Sequence, residues 1–374
     1  MKVVYVFRSL AIWGGIERII VDKANYLSGL EGYEVSILTA DQGDHPVPYA
    51  VNTPVRLQDL KVGINKQYRY RGLHRLWKGW QLERCFVRKL RQRLAELCPD
   101  VVVCVATDYA CLVSEAVGGR FPIVVESHSI YRRTFDQRRL LSGLYDWRLK
   151  RMLKSAHTIV ALTEGDAADW RLHYGNVRCI ANMVNQNPTC RRADAAHRRV
   201  IFVGRMDSQK RAEVALSIWA RVADEYPDWQ LHVYGDGDRR QIVDSLAERV
   251  RGVVVHDPTD RIFDAYCDSS FLILTSVFEP FGLVMPEAMS CGLPVVAFDC
   301  PYGPRSIITE GSDGFLVTEG DEQAFADCMK LLMSSHERCR TMGDAAILKA
   351  RRYTSETIMP QWTALFNDVT RLLP

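Results

Sequence analysis

The chain has 374 residues, 47% of them hydrophobic and 25% charged, with a formal net charge of +3. That length suits two domains of ordinary size, each with its own core, and the balance excludes a disordered or fibrous chain. No apolar run approaches the ~18 residues of a membrane span, the apolar stretch 3–7 ends at Arg8 and is too short for a secretory signal, and eleven scattered cysteines without a Cys-x-x-Cys pair predict reduced thiols in a cytoplasmic protein.

Val3–Phe7 reads as a short buried strand, followed by a Gly14-Gly15 turn and a helix from about Ile16 to Leu30. Val35–Thr39 is a second strand, and the Asp-, Gly- and Pro-rich stretch 41–52 is a loop. A long helical pattern then places Leu73, Leu76, Trp77, Trp80, Val87, Leu90, Leu94 and Leu97 roughly on one face, and Pro99 stops it. Val101–Val105, Ile123–Glu126 and Thr158–Leu162 are further strands, each preceded by helical sequence. Asn187-Pro188 and the polar, basic stretch Arg191–Arg199 read as a linker, after which the pattern restarts. Val200–Val203, Gln230–Tyr234, Gly252–His256, Phe271–Thr275, Pro294–Phe298 and Gly314–Val317 are strands, with helices at Arg211–Glu225 and Asp260–Cys267 and a last one from about Ser355 to Leu372. Alternating strands and helices predict an α/β fold with two Rossmann-like, doubly wound parallel sheets.

The charge is unevenly spread. Residues 1–190 hold 27 Lys and Arg against 18 acids, and residues 191–374 hold 21 against 27. Within Lys61 to Arg93 there are eleven cations and a single acid, Glu83, interleaved with Tyr68, Tyr70, Trp77, Trp80 and Phe86. A basic amphipathic helix with tryptophans fits an anionic membrane surface. Packing of Leu73, Trp77, Leu90 and Leu94 on a sheet, with the cations solvated, fits the pattern equally. Arg132, Arg133, Arg138, Arg139, Arg148 and Arg151 form a second basic cluster in the same half.

The chemistry gathers in the second half. Phe278-Glu279-Pro280-Phe281-Gly282-Leu283-Val284-Met285-Pro286-Glu287-Ala288 places two carboxylates eight positions apart across a strand-to-helix junction, where open α/β sheets bind ligands. Glu279 and Glu287 can grip one ligand at two points, and the backbone N–H groups around Phe281, Gly282 and Leu283 can meet an anion. Arg205 ends a strand and Lys210 opens the next helix; Arg forks two phosphate oxygens, and Lys acts as a point charge. Gly14 and Gly15 mark a turn where a ligand can approach the backbone, and Gly235 lies in a turn after a strand. His128 follows a strand of the first half. None of the nine histidines pairs at metal-ligand spacing, and Asp236-Gly237-Asp238 is a formal D-x-D that sits in a glycine turn after a strand.

The Glu279–Glu287 block resembles the E-x7-E signature of family 4 (group 1) glycosyltransferases of the GT-B fold. Trp13-Gly14-Gly15-Ile16-Glu17-Arg18, Val203-Gly204-Arg205 with Lys210, Gly235-Asp236-Gly237 and Gly311 to Val317 are similar to further segments of that family, in family order. Arg211 stands where the family commonly has glycine, and residues 50–95 match nothing in it. The resemblance implies a GT-B plan: a first domain at 1–188 joined by a C-terminal crossover helix at 355–374, and a nucleotide-sugar domain at 197–354. It implies a retaining transfer of a hexose or N-acetylhexosamine from a nucleotide sugar, without metal, to a glycan or lipid-linked acceptor in cell-envelope polysaccharide biosynthesis. It also implies that Asp236-Gly237-Asp238 holds no metal and that no cofactor is needed. Arg205 and Lys210 would meet the diphosphate, Glu287 the ribose, Glu279 the donor sugar and His128 the donor C6 hydroxyl. Phe298-Asp299-Cys300-Pro301-Tyr302-Gly303-Pro304 resembles a subgroup that often uses UDP sugars, so UDP is favoured and GDP stays open. A GT-B epimerase or phosphorylase is an alternative. So is a non-catalytic protein whose basic half binds anionic lipid or nucleic acid, although no nucleic-acid motif is present.

Overall fold

A computed structural model describes residues 1–135, 142–189 and 191–371. The chain divides into two compact units, Met1–Met183 with Ile358–Pro374, and Val184–Thr357.

The first unit holds a parallel sheet of seven strands: β1 (Lys2–Phe7), β2 (Glu34–Thr39), β3 (Arg56–Asp59), β4 (Val101–Val105), β5 (Ile123–Glu126), β6 (Thr158–Ala161) and β7 (Val177–Cys179). Their spatial order is β3-β2-β1-β4-β5-β6-β7. β1, β4, β5 and β6 are largely apolar and rich in Val and Ile because helices cover both faces of a parallel sheet. The two outermost strands were not expected from sequence. β3 is an edge strand, Arg-Leu-Gln-Asp, and three of its four side chains are exposed. β7 has three residues. Neither carries an apolar run to betray it. The helix Ser355–Arg371 gives this unit Ile358, Met359, Trp362, Leu365, Phe366 and Val369, all buried.

The long helix is real and runs over Gly72–Leu97, but its apolar stripe is not continuous. Phe86, Val87, Leu90 and Leu94 are buried in the core with Val4, Val6 and Val102. Leu73, Leu76, Trp77 and Trp80 are exposed, Leu73 to 84%. Packing of Leu73 and Trp77 on the sheet is therefore wrong: the first two turns carry the same periodicity but have no core beneath them.

The second unit holds six parallel strands: β8 (Arg199–Val203), β9 (Gln230–Tyr234), β10 (Val253–His256), β11 (Phe271–Leu274), β12 (Val295–Phe298) and β13 (Gly314–Val317). The order β10-β9-β8-β11-β12-β13 is doubly wound and reverses direction between β8 and β11. Ligands bind such sheets beyond the carboxyl ends of the strands at that reversal. The loops after β8 and β11 carry Arg205, Lys210 and Glu279 to this place.

Candidate active site

The segment after β8 is shaped by hydrogen bonds before any ligand arrives. Asp207 Oδ1 accepts from the backbone N–H of Gln209 (3.0 Å) and of Lys210 (2.9 Å), turning the chain into the helix Ala212–Ala220. Gln209–Arg211 is then fastened to the loop after β11. Val277 N–H donates to Gln209 O (2.9 Å), Gln209 Nε2 to Phe278 O (3.1 Å), and Thr275 Oγ1 to Lys210 O (3.0 Å) and Arg211 O (2.9 Å). Arg211 occupies left-handed backbone (φ 52°, ψ 52°), a conformation that favours the glycine found in the resembling family. Its side chain compensates: Nε donates to Thr275 O at 2.9 Å, and the guanidinium lies 3.4 Å from Glu319.

This fastening brings Lys210 Nζ onto Glu279 Oε1 as an ion pair, and Ser276 Oγ donates to the same oxygen at 2.7 Å. The Glu279 backbone is held as firmly. Its N–H donates to Pro301 O (2.7 Å), and its carbonyl accepts from Tyr302 and Gly303 N–H (2.8 Å each). Glu279 is 2% exposed, which excludes a solvated loop acid. Two to four residues on, the backbone N–H groups of Phe281, Gly282 and Leu283 find no acceptor among the described residues. Gly282 has φ +90°, and a Cβ there would sit 2.5 Å from Met285 Cε. Phe281 is buried, with its ring edge-on to Tyr353. Glu287, also buried, lies in the helix Val284–Ser290 and accepts from Tyr266 Oη at 3.4 Å.

Gly235 lets two loops touch: a Cβ on it would stand 1.9 Å from Gly204 O. Arg205 is not gathered with Lys210 and Glu279. Its side chain is 69% exposed, pairs with Asp207 at 3.1 Å and reaches Gln209 Oε1 at 3.3 Å.

In the first unit, His128 lies two residues beyond β5, with Nε2 3.1 Å from Glu126 Oε1, a close approach whose angles fall outside a hydrogen bond. The Lys23 ammonium is paired with that same oxygen and sits 3.9 Å over the Trp362 ring. Burial pushes the Glu126 carboxyl up, but Lys23 and His128 outweigh it and hold the group at about 2. Glu126 Oε2 is buried without a partner among the described residues. Gly14 caps the helix Gly15–Ser28, which Gly15 opens, and Tyr49 Oη donates to Gly14 O at 3.0 Å. In the second basic cluster Arg132 pairs with Asp169 (3.2 Å) and Arg148 with Glu115 (3.6 Å), while Arg138 and Arg139 lie outside the described residues.

Sequence reasoning missed Lys23, Glu126, Gln209 and Ser276 as members of these clusters. Lys23 had one visible sign: it falls among Ile19, Ile20, Ala24 and Leu27 on the apolar face of its helix. Ser276 and Gln209 gave none, because only the pairing of two loops gives them a role.

Two parallel-sheet α/β units, the second pairing a lysine with a buried carboxylate in the loops after its central strands, have the architecture of the GT-B fold. TarM of Staphylococcus aureus, solved with fondaparinux, alpha-GlcNAc-glycerol and UDP, superposes with a TM-score of 0.80 over 98% of this chain and 99% of its own, at 15% identity. The sucrose-phosphate synthase of Thermosynechococcus elongatus does so at 0.82 over 98% of each chain, at 19% identity. At those identities the likeness is one of fold. A family model described as Glycosyltransferase Family 4 matches residues 13–187, and one described as Glycosyl transferases group 1 matches residues 197–335. The chain belongs to this glycosyltransferase family. An uncharacterized glycosyltransferase of Haemophilus influenzae is 26% identical over 97% of this chain and 99% of its own.

Proposed function

We propose that the protein is a retaining, metal-independent transferase that moves a hexose or N-acetylhexosamine from a nucleotide sugar to a glycan or lipid-linked acceptor in polysaccharide biosynthesis. The observation that carries this reading is the cluster after β8 and β11: a Lys210 ammonium paired with the buried Glu279 carboxylate beside three backbone N–H groups with no described acceptor. A departing diphosphate gains negative charge at the transition state, and fixed donors that need no reorganisation stabilise it. Lys210 supplies the cation there, and Phe281, Gly282 and Leu283 supply peptide dipoles. Glu279, held by Ser276 and its backbone, accepts from donor-sugar hydroxyls. Glu287 accepts from the ribose hydroxyls, as carboxylate oxygens can each accept more than one hydrogen bond. Arg205, exposed and paired only at the surface, is free to swing onto phosphate oxygens. His128 meets the donor C6 hydroxyl, and Gly14, Gly15 and Gly235 keep backbone open to the ligand.

The bond from the anomeric carbon to the diphosphate oxygen breaks, and the acceptor oxygen bonds to that carbon on the face just vacated. The acceptor proton passes to the leaving phosphate. No metal enters the scheme, because Lys210 and the peptide dipoles carry the charge a metal would carry elsewhere. UDP is favoured over GDP, a choice supported by UDP in the TarM complex. The location is the cytoplasm, with the inner face of the plasma membrane as the place where a lipid-linked acceptor is met. A thermal-shift panel of UDP and GDP sugars, followed by proton NMR of the product anomer, tests the reading. Stabilisation by no nucleotide sugar, or a product of inverted configuration, overturns it.

A further inference from the structure

The first turns of the helix Gly72–Leu97 expose what a soluble protein ordinarily buries. Leu73 is 84% exposed, Leu76 59%, Trp77 55% and Trp80 60%. Their spacing is i, i+3, i+4, i+7, so the four side chains form one stripe. Tyr68, 59% exposed, extends it into the preceding turn, with the Arg75 guanidinium 4.6 Å over its ring. Arg71, Arg75 and Lys78 fall at the start of the same helix and Lys61, Lys66 and Arg69 in the segment before it, where these three line a cavity with Asp41, Asp44 and Asp59; no acid occurs from 61 to 82. Among the described residues none of these six cations is in an ion pair. Farther along the same helix Arg84 pairs with Glu115 and Arg93 with Glu96. The unpaired cations and the uncovered apolar stripe therefore coincide at one end of one helix.

We propose that this end of the helix, together with the turn 64–69, docks the protein on an anionic lipid bilayer. Tryptophan and leucine sit at the boundary of headgroups and acyl chains, and the flanking cations meet lipid phosphates. Only the first half of the basic segment 61–93 takes part; the second half is committed to the core and to its own ion pairs. A second copy of the chain fits worse, because an isologous pairing through this stripe sets six unpaired cations against six. The inference goes beyond the transferase reading and is measured without any transfer assay.

The test is co-flotation of the full chain with phosphatidylcholine vesicles, with and without phosphatidylglycerol. Binding is expected with the anionic vesicles alone. Each cation near such a surface contributes roughly fivefold in affinity, so Arg75→Gln with Lys78→Gln should weaken binding about thirtyfold at low salt. Trp77→Ser with Trp80→Ser should weaken it at least about tenfold, from the apolar area withdrawn. Leu172→Ser, which removes an equally uncovered apolar side chain elsewhere in the first unit (77% exposed), should leave flotation unchanged. The substituted residues are exposed apart from the half-buried Lys78, and an unchanged melting temperature verifies folding. The proposal is overturned if the anionic lipid makes no difference or if the double tryptophan variant floats like the parent. It is equally overturned if sedimentation shows a dimer that these substitutions dissociate, or if vesicle binding is absent and the patch instead binds single-stranded nucleic acid.

Discussion

Replacing Lys210 by Met separates the pairing the structure shows for this lysine from the diphosphate role proposed for it. Its ammonium neutralises Glu279, whose side chain is 3% exposed while that of Lys210 is 14% exposed. Breaking a buried pair by removing one partner costs ~3–5 kcal/mol, because the other charge stays buried without compensation. Ser276 Oγ still donates to Glu279 and some solvent reaches the lysine position, so the expected loss is nearer ~2–4 kcal/mol. In a domain of this size that lowers Tm by roughly 5–15 °C. Adding Glu279→Gln removes the stranded charge and should restore much of the melting temperature. Transfer should behave differently. Loss of a preformed donor to a developing oxyanion costs about 10²–10³ in kcat, and Glu279→Gln cannot supply a cation to the diphosphate. The assay pairs differential scanning fluorimetry with steady-state transfer from the donor that the thermal-shift panel selects. Stability recovered without recovery of kcat supports the reasoning. If the double variant regains both, or if Lys210→Met leaves kcat untouched, Lys210 is a structural residue and the diphosphate is held elsewhere.

Arg211→Gly and Arg211→Ala both lose the bonds to Thr275 O and Glu319, but only Ala keeps a Cβ in left-handed backbone. Ala should therefore be the less stable by about 1 kcal/mol in urea unfolding, and equal stability would refute a strained Arg211. Glu287→Ala should raise the dissociation constant for nucleotide sugar at least about tenfold, given hydrogen bonds to a charged group worth ~1.5–3 kcal/mol; calorimetry showing unchanged affinity would move the ribose to another site. Asp166 is buried and accepts from Tyr131 N–H (2.7 Å) and Trp170 Nε1–H (3.1 Å), yet burial pushes its carboxyl up to about 6 from 3.8. Its folded value lies above its unfolded one, so its contribution is full below pH 3.8 and is lost as pH rises through about 6. Asp166→Asn should flatten that part of the stability–pH profile, by up to roughly 2–3 kcal/mol; an unchanged profile would assign the slope to another group. A chelator should leave transfer unchanged, and loss of activity restored by Mg²⁺ or Mn²⁺ would refute the metal-independent scheme.

The two parallel sheets were legible in the sequence because strands buried on both faces are written as short, unbroken apolar runs. Val101–Val105 coincides with β4 and Gln230–Tyr234 with β9, and only the outer strands Arg56–Asp59 and Val177–Cys179, which bury little, escaped. The candidate residues Glu279, Glu287 and Lys210 could be picked out as well, because each stands at a strand-to-helix junction, where open parallel sheets bind ligands. What each of them touches depends on contacts between segments far apart in sequence. Lys210 and Glu279 are 69 residues apart and Lys23 and Glu126 are 103 apart, and neither pairing has a local cause. The long helix draws the line most clearly. Its period of apolar residues is the same over Leu73–Trp80 as over Val87–Leu94, so periodicity alone gives both halves one face. Whether that face is core or surface is decided by whether a sheet lies under it, and only the tertiary structure supplies the sheet.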